Sequence, residues 1–164
     1  MRRSKKLPKW AVIVILIAAI AVYAVDYFTQ DRVTEPMDGL YVHFIDIGQG
    51  DASLIVCDGK TMLIDGGEAD EADRLVDYLE RQGVKTLDYA VCTHSHADHC
   101  GGLDKAIERF GAETVFTSPY TTEINQYKQV VEAADAVGAE LCVPDFGAEY
   151  RLGEAVFTFI GPVE

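Results

Sequence analysis

Basic side chains are scarce after the first nine residues of this 164-residue chain. From residue 10 onward the chain has nine Lys and Arg and 27 Asp and Glu, which gives a formal charge of −18. The other five of the 14 basic residues lie earlier, at Arg2, Arg3, Lys5, Lys6 and Lys9. Such an acidic body does not attract nucleic acid through its overall field. Binding of a polyanion would have to rely on metal ions and local contacts, so a nucleic-acid partner is disfavoured but not excluded.

The four cysteines show no Cys-x-x-Cys spacing, which argues against the common zinc-ribbon and redox motifs. Cys57, Cys92 and Cys142 lie in apolar runs typical of buried strands, where small thiols are common. Cys100 directly follows a histidine, but four better metal ligands stand beside it. Outside the cytoplasm the thiols would be free to pair as disulfides.

Histidine is also scarce, and three of the four histidines fall within six positions. They follow an apolar stretch over 87–92, which predicts a buried strand. Residues two apart face the same side of an extended chain, so His94 and His96 are predicted to hold one metal ion. The adjacent Asp98 and His99 point in different directions and are predicted to serve a second ion. His43 stands alone in an apolar run and indicates an ordinary structural residue.

This donor set predicts a two-metal site. Imidazole combined with carboxylate suits Zn²⁺, with Mn²⁺ or Fe as alternatives. Two ions about 3.5–4 Å apart clamp the attacking and leaving oxygens of a displacement and make water reactive at neutral pH. Gly101 and Gly102 permit a tight turn before a helix predicted over 103–110. The alternative is an exposed polar loop, but the strand before it and the glycines after it favour metal binding.

The run His94-Ser-His96-Ala-Asp98-His99, between an apolar strand and two glycines, resembles the His-x-His-x-Asp-His signature of the metallo-β-lactamase superfamily. Residues 44–52 resemble the opening strand and loop of the branch typified by the C-terminal domain of the competence protein ComEC. Residues 62–67 resemble the superfamily's Asp-Gly-Gly turn. The resemblance implies a metal-dependent hydrolase with an αββα sandwich of four layers, in which the metal loop lies at the sheet edge.

The resemblance also implies roles for two further aspartates. Asp65 would lie beneath the metal loop and orient it, as carboxylates behind metal ligands do. Asp51 would lie in a loop near the site. A turn aspartate that caps backbone amides explains either residue without any catalytic role.

The ComEC-like resemblance favours phosphodiester substrates, in nucleic acid or wall polymers. Asp98 would then be the catalytic residue, because it would orient the nucleophile as well as bind metal. Hydrolysis of β-lactams, esters or thioesters is one alternative. A non-catalytic surface or DNA-uptake module is another, and it would bind little metal and tolerate His96→Ala.

Sixteen uncharged residues, 10–25, follow the basic N-terminus. A helix of this length spans about 24 Å, somewhat less than the hydrocarbon core of about 30 Å, and the flanking apolar residues extend it. We expect a single-pass anchor over 1–28 with the N-terminus inside, a linker over 29–39 and an extracytoplasmic domain over 40–164. A cleaved signal peptide and a secreted domain are the alternative.

The alternation of strands and helices within 40–164 predicts the α/β (α+β) class. Strands are predicted over 40–47, 52–57, 61–64, 87–92, 114–117 and 140–143, with a hairpin over 150–160 and a two-residue turn at Asp58-Gly59. Helices are predicted over 69–82, 103–110 and 122–137, the last capped by Thr122 with its inner face formed by Ile124, Tyr127, Val131 and Ala134. No histidine follows His99. The further ligands of the second half of the superfamily fold are therefore not recognisable, and we expect an N-terminal fragment of a longer chain.

Overall fold

The computed structural model describes residues 9–29, 38–120 and 123–161, and the chain divides into two compact units, Met1–Val33 and Thr34–Glu164. In the first unit, helix α1 extends over Lys9–Thr29. Within the described part of the chain, no helix combines the length and apolarity needed to span a bilayer. The predicted transmembrane helix is therefore not confirmed, and most of the predicted linker lies outside the described residues.

Six of the eight strands formed by the described residues make one mixed sheet. Their spatial order is β1 (Leu40–Phe44), β2 (Ser53–Cys57), β3 (Lys60–Ile64), β4 (Leu87–Cys92), β5 (Ala112–Thr117) and β6 (Glu140–Cys142). Strands β1 to β3 pair antiparallel, and β3 to β6 pair parallel. The other two, β7 (Glu149–Leu152) and β8 (Ala155–Thr158), form an antiparallel hairpin.

The connection between β2 and β3 is the two-residue turn predicted at Asp58-Gly59. Cys57 pairs with Lys60 across it, and the φ angles of Asp58 and Gly59 are 49° and 80°. Positive φ at both central residues matches the right-handed twist of the two strands, and aspartate followed by glycine adopts it readily. The first strand is shorter than predicted, since it ends at Phe44.

Helices connect the parallel strands, because a parallel pair needs a crossover between its members. They are α2 (Ala72–Arg81), which follows a 3₁₀ turn at Ala69–Glu71, then α3 (Ala97–Cys100), α4 (Leu103–Phe110) and α5 (Asn125–Val137). Helix α4 buries residues at positions 103, 106, 107 and 110, the spacing of one helical face. This spacing explains why the bounds predicted for this helix are correct.

The two faces of the sheet carry separate hydrophobic cores. On one face, α2, α4 and α5 pack over a large cluster that includes Leu54, Leu63 and Val115, each fully buried. On the other face, the hairpin packs through Leu152 onto a smaller cluster that includes Phe116. The mixed α/β class is thereby confirmed. Of the four predicted layers, the described residues form the helices, the sheet and one hairpin of the opposite layer.

Helix α5 differs from its prediction. It begins at Asn125, with Ile124 as the N-cap residue, and the predicted cap Thr122 lies outside the described residues. Of the predicted inner face, Ile124, Tyr127 and Ala134 pack into the large cluster. The fourth position is off by one residue, since Val130 is fully buried and Val131 only half-buried. The helix packs against α4 as well as against the sheet, and this second contact is invisible in the local sequence pattern.

Glycines let the main chains of three loops, each near the end of a strand, come into direct contact. A Cβ added to Gly66 would lie 2.5 Å from the Leu103 nitrogen, and one added to Gly102 would lie 2.5 Å from the Gly66 oxygen. A Cβ on Gly50 would lie 2.0 Å from the Asp98 oxygen. The loops after β1, β3 and β4 are thus interlocked, and this contact fixes where the histidine loop lies.

Replacing Gly102 by alanine tests this interlocking. We expect Gly102→Ala to lower the free energy of unfolding by about 1–3 kcal/mol, the usual cost of overpacking, because the Gly66 backbone blocks the new methyl group. Urea denaturation of the full chain measures this loss. Gly161→Ala is the matched control, since nothing lies within 4 Å of its added Cβ. Equal midpoints for both variants would contradict the close approach.

Candidate metal centre

The histidine loop begins where β4 leaves the sheet. His94 follows the strand, His96 is the N-cap residue of α3, and Asp98 and His99 lie in the first turn of that helix. The ring centroids of His94 and His99 are 4.0 Å apart, and those of His94 and His96 are 4.7 Å apart. The structure therefore brings the three predicted histidine ligands together. The Asp98 side chain is half-buried in the same turn.

A single buried carboxylate lies beneath this group. Asp65 Oδ2 accepts hydrogen bonds from Thr93 Oγ1 at 2.6 Å and from His99 Nδ1 at 2.9 Å. Asp65 Oδ1 accepts the Thr93 N–H at 2.8 Å. Asp65 is 3 % exposed, and a buried carboxylate is tolerated only when its oxygens are well bonded. Asp65 thus lies beneath the histidine loop and bonds directly to it.

These bonds determine which nitrogen of two histidines carries the proton. A carboxylate only accepts, so His99 Nδ1 must be protonated. The single hydroxyl hydrogen of Thr93 goes to Asp65, so the contact of 3.0 Å between Thr93 Oγ1 and His94 Nδ1 is donated by the imidazole. In both neutral rings, Nε2 therefore retains its lone pair, the form that binds a metal ion.

The backbone at Asp65 is held in a sparsely populated conformation. Its φ is 56°, in the left-handed region that aspartate tolerates better than most residues. Its N–H donates to the Val91 oxygen at 2.8 Å, and the next N–H, of Gly66, donates to the His99 oxygen at 2.6 Å. These main-chain bonds hold the turn against both β4 and the histidine loop.

Asp51 lies at the edge of the same group. Its Oδ2 is 3.8 Å from His99 Nδ1, and its side chain is 77 % exposed. Its N–H donates to the Asp98 oxygen at 3.2 Å, and its own oxygen accepts the Gly67 N–H at 2.9 Å. The main chain of Asp51 thus ties two loops together, while its carboxylate is free to face solvent and a ligand.

The local electrostatics favour neutral imidazole. Burial, followed by the charges that His99 and His96 carry when protonated, lowers the pKa of His94 below its ordinary value. The deprotonated ring is the one that binds metal. The protein therefore disfavours the competing protonated form before any ion arrives.

All four cysteines are free thiols, so no disulfide forms. The hydrogen bond with Cys100, followed by burial, raises the pKa of Cys92, which stays protonated. Both side chains are buried under the loop, with Cys92 1 % and Cys100 0 % exposed. Cys100 bonds to another thiol here and takes no part in the histidine group.

The donor set fits divalent metal ions, although it is not a finished coordination sphere. Across residues 9–29, 38–120 and 123–161, no three His, Cys, Asp or Glu side chains are gathered closely enough to hold one ion as they stand. Two imidazoles nevertheless have their Nε2 lone pairs prepared by the Asp65 bonds. A third imidazole and a half-buried carboxylate lie in the same turn, and this chemistry matches Zn²⁺.

Sequence reasoning missed Thr93 and a cavity beside the loop. Thr93 connects Asp65 to His94, and its position immediately before the first histidine was the available signal. The cavity, of about 450 Å³, lies between the loops that follow β4 and β5 and is lined by His94, Phe116, Ser118 and Tyr120 among others. It depends on the pairing of β4 with β5, so no local pattern indicates it.

A family model described as the metallo-beta-lactamase superfamily matches residues 45–150. The chain is 35% identical over 75 residues to Recombination protein 2 of Haemophilus influenzae, which covers 42% of this chain and 9% of that protein. It is 32% identical over 76 residues to a hydroxyacylglutathione hydrolase of Chromohalobacter salexigens, 46% of this chain and 28% of that protein. A probable metallo-hydrolase of Methanocaldococcus jannaschii is 30% identical over 97 residues, 59% of this chain and 47% of its own length.

Solved structures show the same fold. Rm3 metallo-beta-lactamase superposes with a TM-score of 0.57 at 17% identity, over 78% of this chain and 52% of that one. A flavo di-iron protein from Thermotoga maritima gives a TM-score of 0.51 at 17% identity, over 73% of this chain and 35% of that one. The chain thus spans about half the length or less of these relatives.

The match to Recombination protein 2 supports the ComEC-like branch. Since the family model covers more than half of the sequence, the chain belongs to the metallo-beta-lactamase superfamily of hydrolases.

Proposed function

We propose that this chain carries a metal-dependent hydrolase site that acts on phosphodiesters. The observation that carries the proposal is the bond network of Asp65, which leaves the Nε2 lone pairs of His94 and His99 ready to bind metal. His94 and His96 would hold one divalent ion, and Asp98 with His99 would hold the second. Zn²⁺ suits this donor set, with Mn²⁺ or Fe as alternatives.

Ions at this loop would activate water and neutralise charge that develops on the substrate. The protein's own contribution is to position the groups. Asp65 holds the His99 ring directly and the His94 ring through Thr93. Asp98 is the proposed catalytic residue, because its carboxylate lies in the same helical turn as His99 and would accept a proton from the attacking water. The interlocked glycines keep these groups fixed during the reaction.

Phosphodiesters are favoured over other substrates by the resemblance to the ComEC-like branch, with which the partial match to Recombination protein 2 agrees. The match to hydroxyacylglutathione hydrolase supports a thioester alternative. The likeness to β-lactamase structures is a likeness of fold at 17% identity, so it gives β-lactams no particular support. The alternative that is not an enzyme is a non-catalytic surface module. The strongly acidic composition disfavours nucleic acid as the partner of such a module.

The location at the membrane is a proposal from sequence alone. It rests on the sixteen uncharged residues after the basic N-terminus, which would anchor the hydrolase unit outside the cytoplasm. A secreted form is the alternative. Alkaline extraction of membranes from cells that express the full chain tests it, since an anchored chain stays in the pellet and a released one does not.

Removing the charge beneath the loop should weaken metal binding. We expect Asp65→Asn to reduce Zn²⁺ affinity by about 10–100-fold, because an amide no longer fixes the protonated nitrogen of His99. Competition with a chromophoric chelator measures the affinity. Asp88→Asn is the matched control, since Asp88 is also a buried aspartate and its bonds within the described part of the chain go to Thr61 and Lys60, away from the loop. Equal losses in both variants would indicate a general effect on stability.

The function is tested by turnover of bis(4-nitrophenyl) phosphate, a hydroxyacylglutathione thioester and a chromogenic cephalosporin by the full chain with Zn²⁺. We expect the phosphodiester to be hydrolysed fastest. Asp98→Asn should lower kcat by about 10²–10⁴-fold, as loss of a general base does, and His96→Ala should lower both turnover and bound metal.

Asp104→Asn is the control for Asp98→Asn, because Asp104 is a half-buried aspartate that bonds to its own helix in α4. Faster turnover of the thioester would favour the alternative substrate class. A folded chain that binds no metal, and whose turnover is unaffected by His96→Ala, would refute the hydrolase and favour the non-catalytic module.

A further inference from the structure

The cavity of about 450 Å³ beside the histidine loop is built by two neighbouring parallel strands. Val91 pairs with Phe116 and Cys92 with Thr117 in the register of β4 and β5. Both strands end at the same edge of the sheet, so the loops that follow them flank one space. His94 lies on one side of that space and Ser118 and Tyr120 on the other. Its volume falls within the usual range for small-molecule pockets, about 300–1,000 Å³.

The wall of the cavity is aromatic and apolar. The rings of Phe116 and Phe159 are 4.9 Å apart between centroids, and Phe116 is only 1 % exposed. Tyr120 is 61 % exposed and marks the rim of the cavity. None of the described residues that line the cavity is a lysine, arginine, aspartate or glutamate. An ionic group placed against Phe116 and Phe159, away from the ion proposed at His94, would lose water with no charged side chain of the described lining beside it, which is costly.

The cavity also offers a hydroxyl group close to the histidines. Ser118 is 9 % exposed, and its Oγ accepts the Tyr120 N–H at 3.2 Å. That bond uses a lone pair of the hydroxyl oxygen, and a hydroxyl group can also donate its hydrogen to a ligand. A single hydrogen-bond donor in an apolar wall orients an uncharged ligand.

We propose that this cavity is the substrate's non-leaving-group subsite and selects an uncharged aromatic or aliphatic substituent next to the hydrolysed centre. This inference rests on the proposed function and narrows its substrate class. The substrate is a small diester with one anionic centre at the histidine loop and an uncharged group against Phe116 and Phe159. A polymer that carries a charge on every unit does not fit, because its next charge would enter the uncharged wall.

Binding of non-hydrolysed diesters tests the subsite without activity. The full chain is titrated calorimetrically, with and without Zn²⁺, against dimethyl phosphate, diphenyl phosphate and 4-carboxyphenyl phenyl phosphate. We expect diphenyl phosphate to bind at least about tenfold tighter than dimethyl phosphate, since burying a ring contributes that much. The carboxylated analogue should lose at least about threefold against diphenyl phosphate.

Two variants at the rim assign the effect to the cavity. Tyr120→Ala should reduce the preference for diphenyl phosphate, and Tyr120→Lys should remove the penalty against the carboxylate by supplying a counter-charge. Phe146→Ala is the matched control, because Phe146 is another aromatic side chain, 63 % exposed, that does not line the cavity. Equal affinity for the dimethyl and diphenyl esters, or a preference unchanged in Tyr120→Ala, would overturn the inference.

The two proposals fail in different ways. A preference for diphenyl phosphate without hydrolysis of any activated diester refutes the hydrolase and leaves the cavity as a binding site. Hydrolysis of methyl 4-nitrophenyl phosphate and phenyl 4-nitrophenyl phosphate at equal kcat/KM supports the hydrolase and refutes the subsite. Both esters release the same leaving group, so their ratio reports the retained group alone.

Discussion

The candidate site depends on one buried carboxylate that must be satisfied by hydrogen bonds. Asp65 is removed from water at the end of β3, and an unbonded charge in that place would cost several kcal/mol, on the order of a large part of the stability of a small domain. Thr93 and His99 supply the donors. The need to satisfy the carboxylate is therefore also what orients the histidines, so folding and preparation of the site are one event.

Close contact between two main-chain segments also holds the site in place. Gly66 and Gly102 occupy positions where a Cβ would overlap the facing main chain, and Gly66 N–H donates directly to the His99 oxygen. Any side chain there would separate the Asp65 turn from the histidine loop and lengthen the bonds on which the imidazoles depend. The two glycine pairs of the sequence, at 66–67 and 101–102, are thus the two sides of one contact.

Local patterns predicted much of this architecture. The strand over 87–92, the helix over 103–110 and the Asp58-Gly59 turn follow from apolar spacing and turn chemistry, and the structure has them at those bounds. Three of the four residues predicted for the inner face of α5 pack into the core, and only Val130 was missed in favour of Val131, because the contact with α4 joins elements distant in sequence. Thr93 and the cavity were missed for the same reason: hydrogen bonds to Asp65 and the pairing of β4 with β5 exist only after the chain has folded.

The most direct test of this account is the protonation of the imidazole nitrogens, read from long-range ¹H–¹⁵N correlation spectra of the metal-free protein above a pH of about 8, where free imidazole is neutral. We expect a protonated Nδ1 and a bare Nε2 for both His94 and His99. Spectra in which His99 carries its proton on Nε2 would contradict it, because Asp65 would then not be the group that prepares the loop for metal.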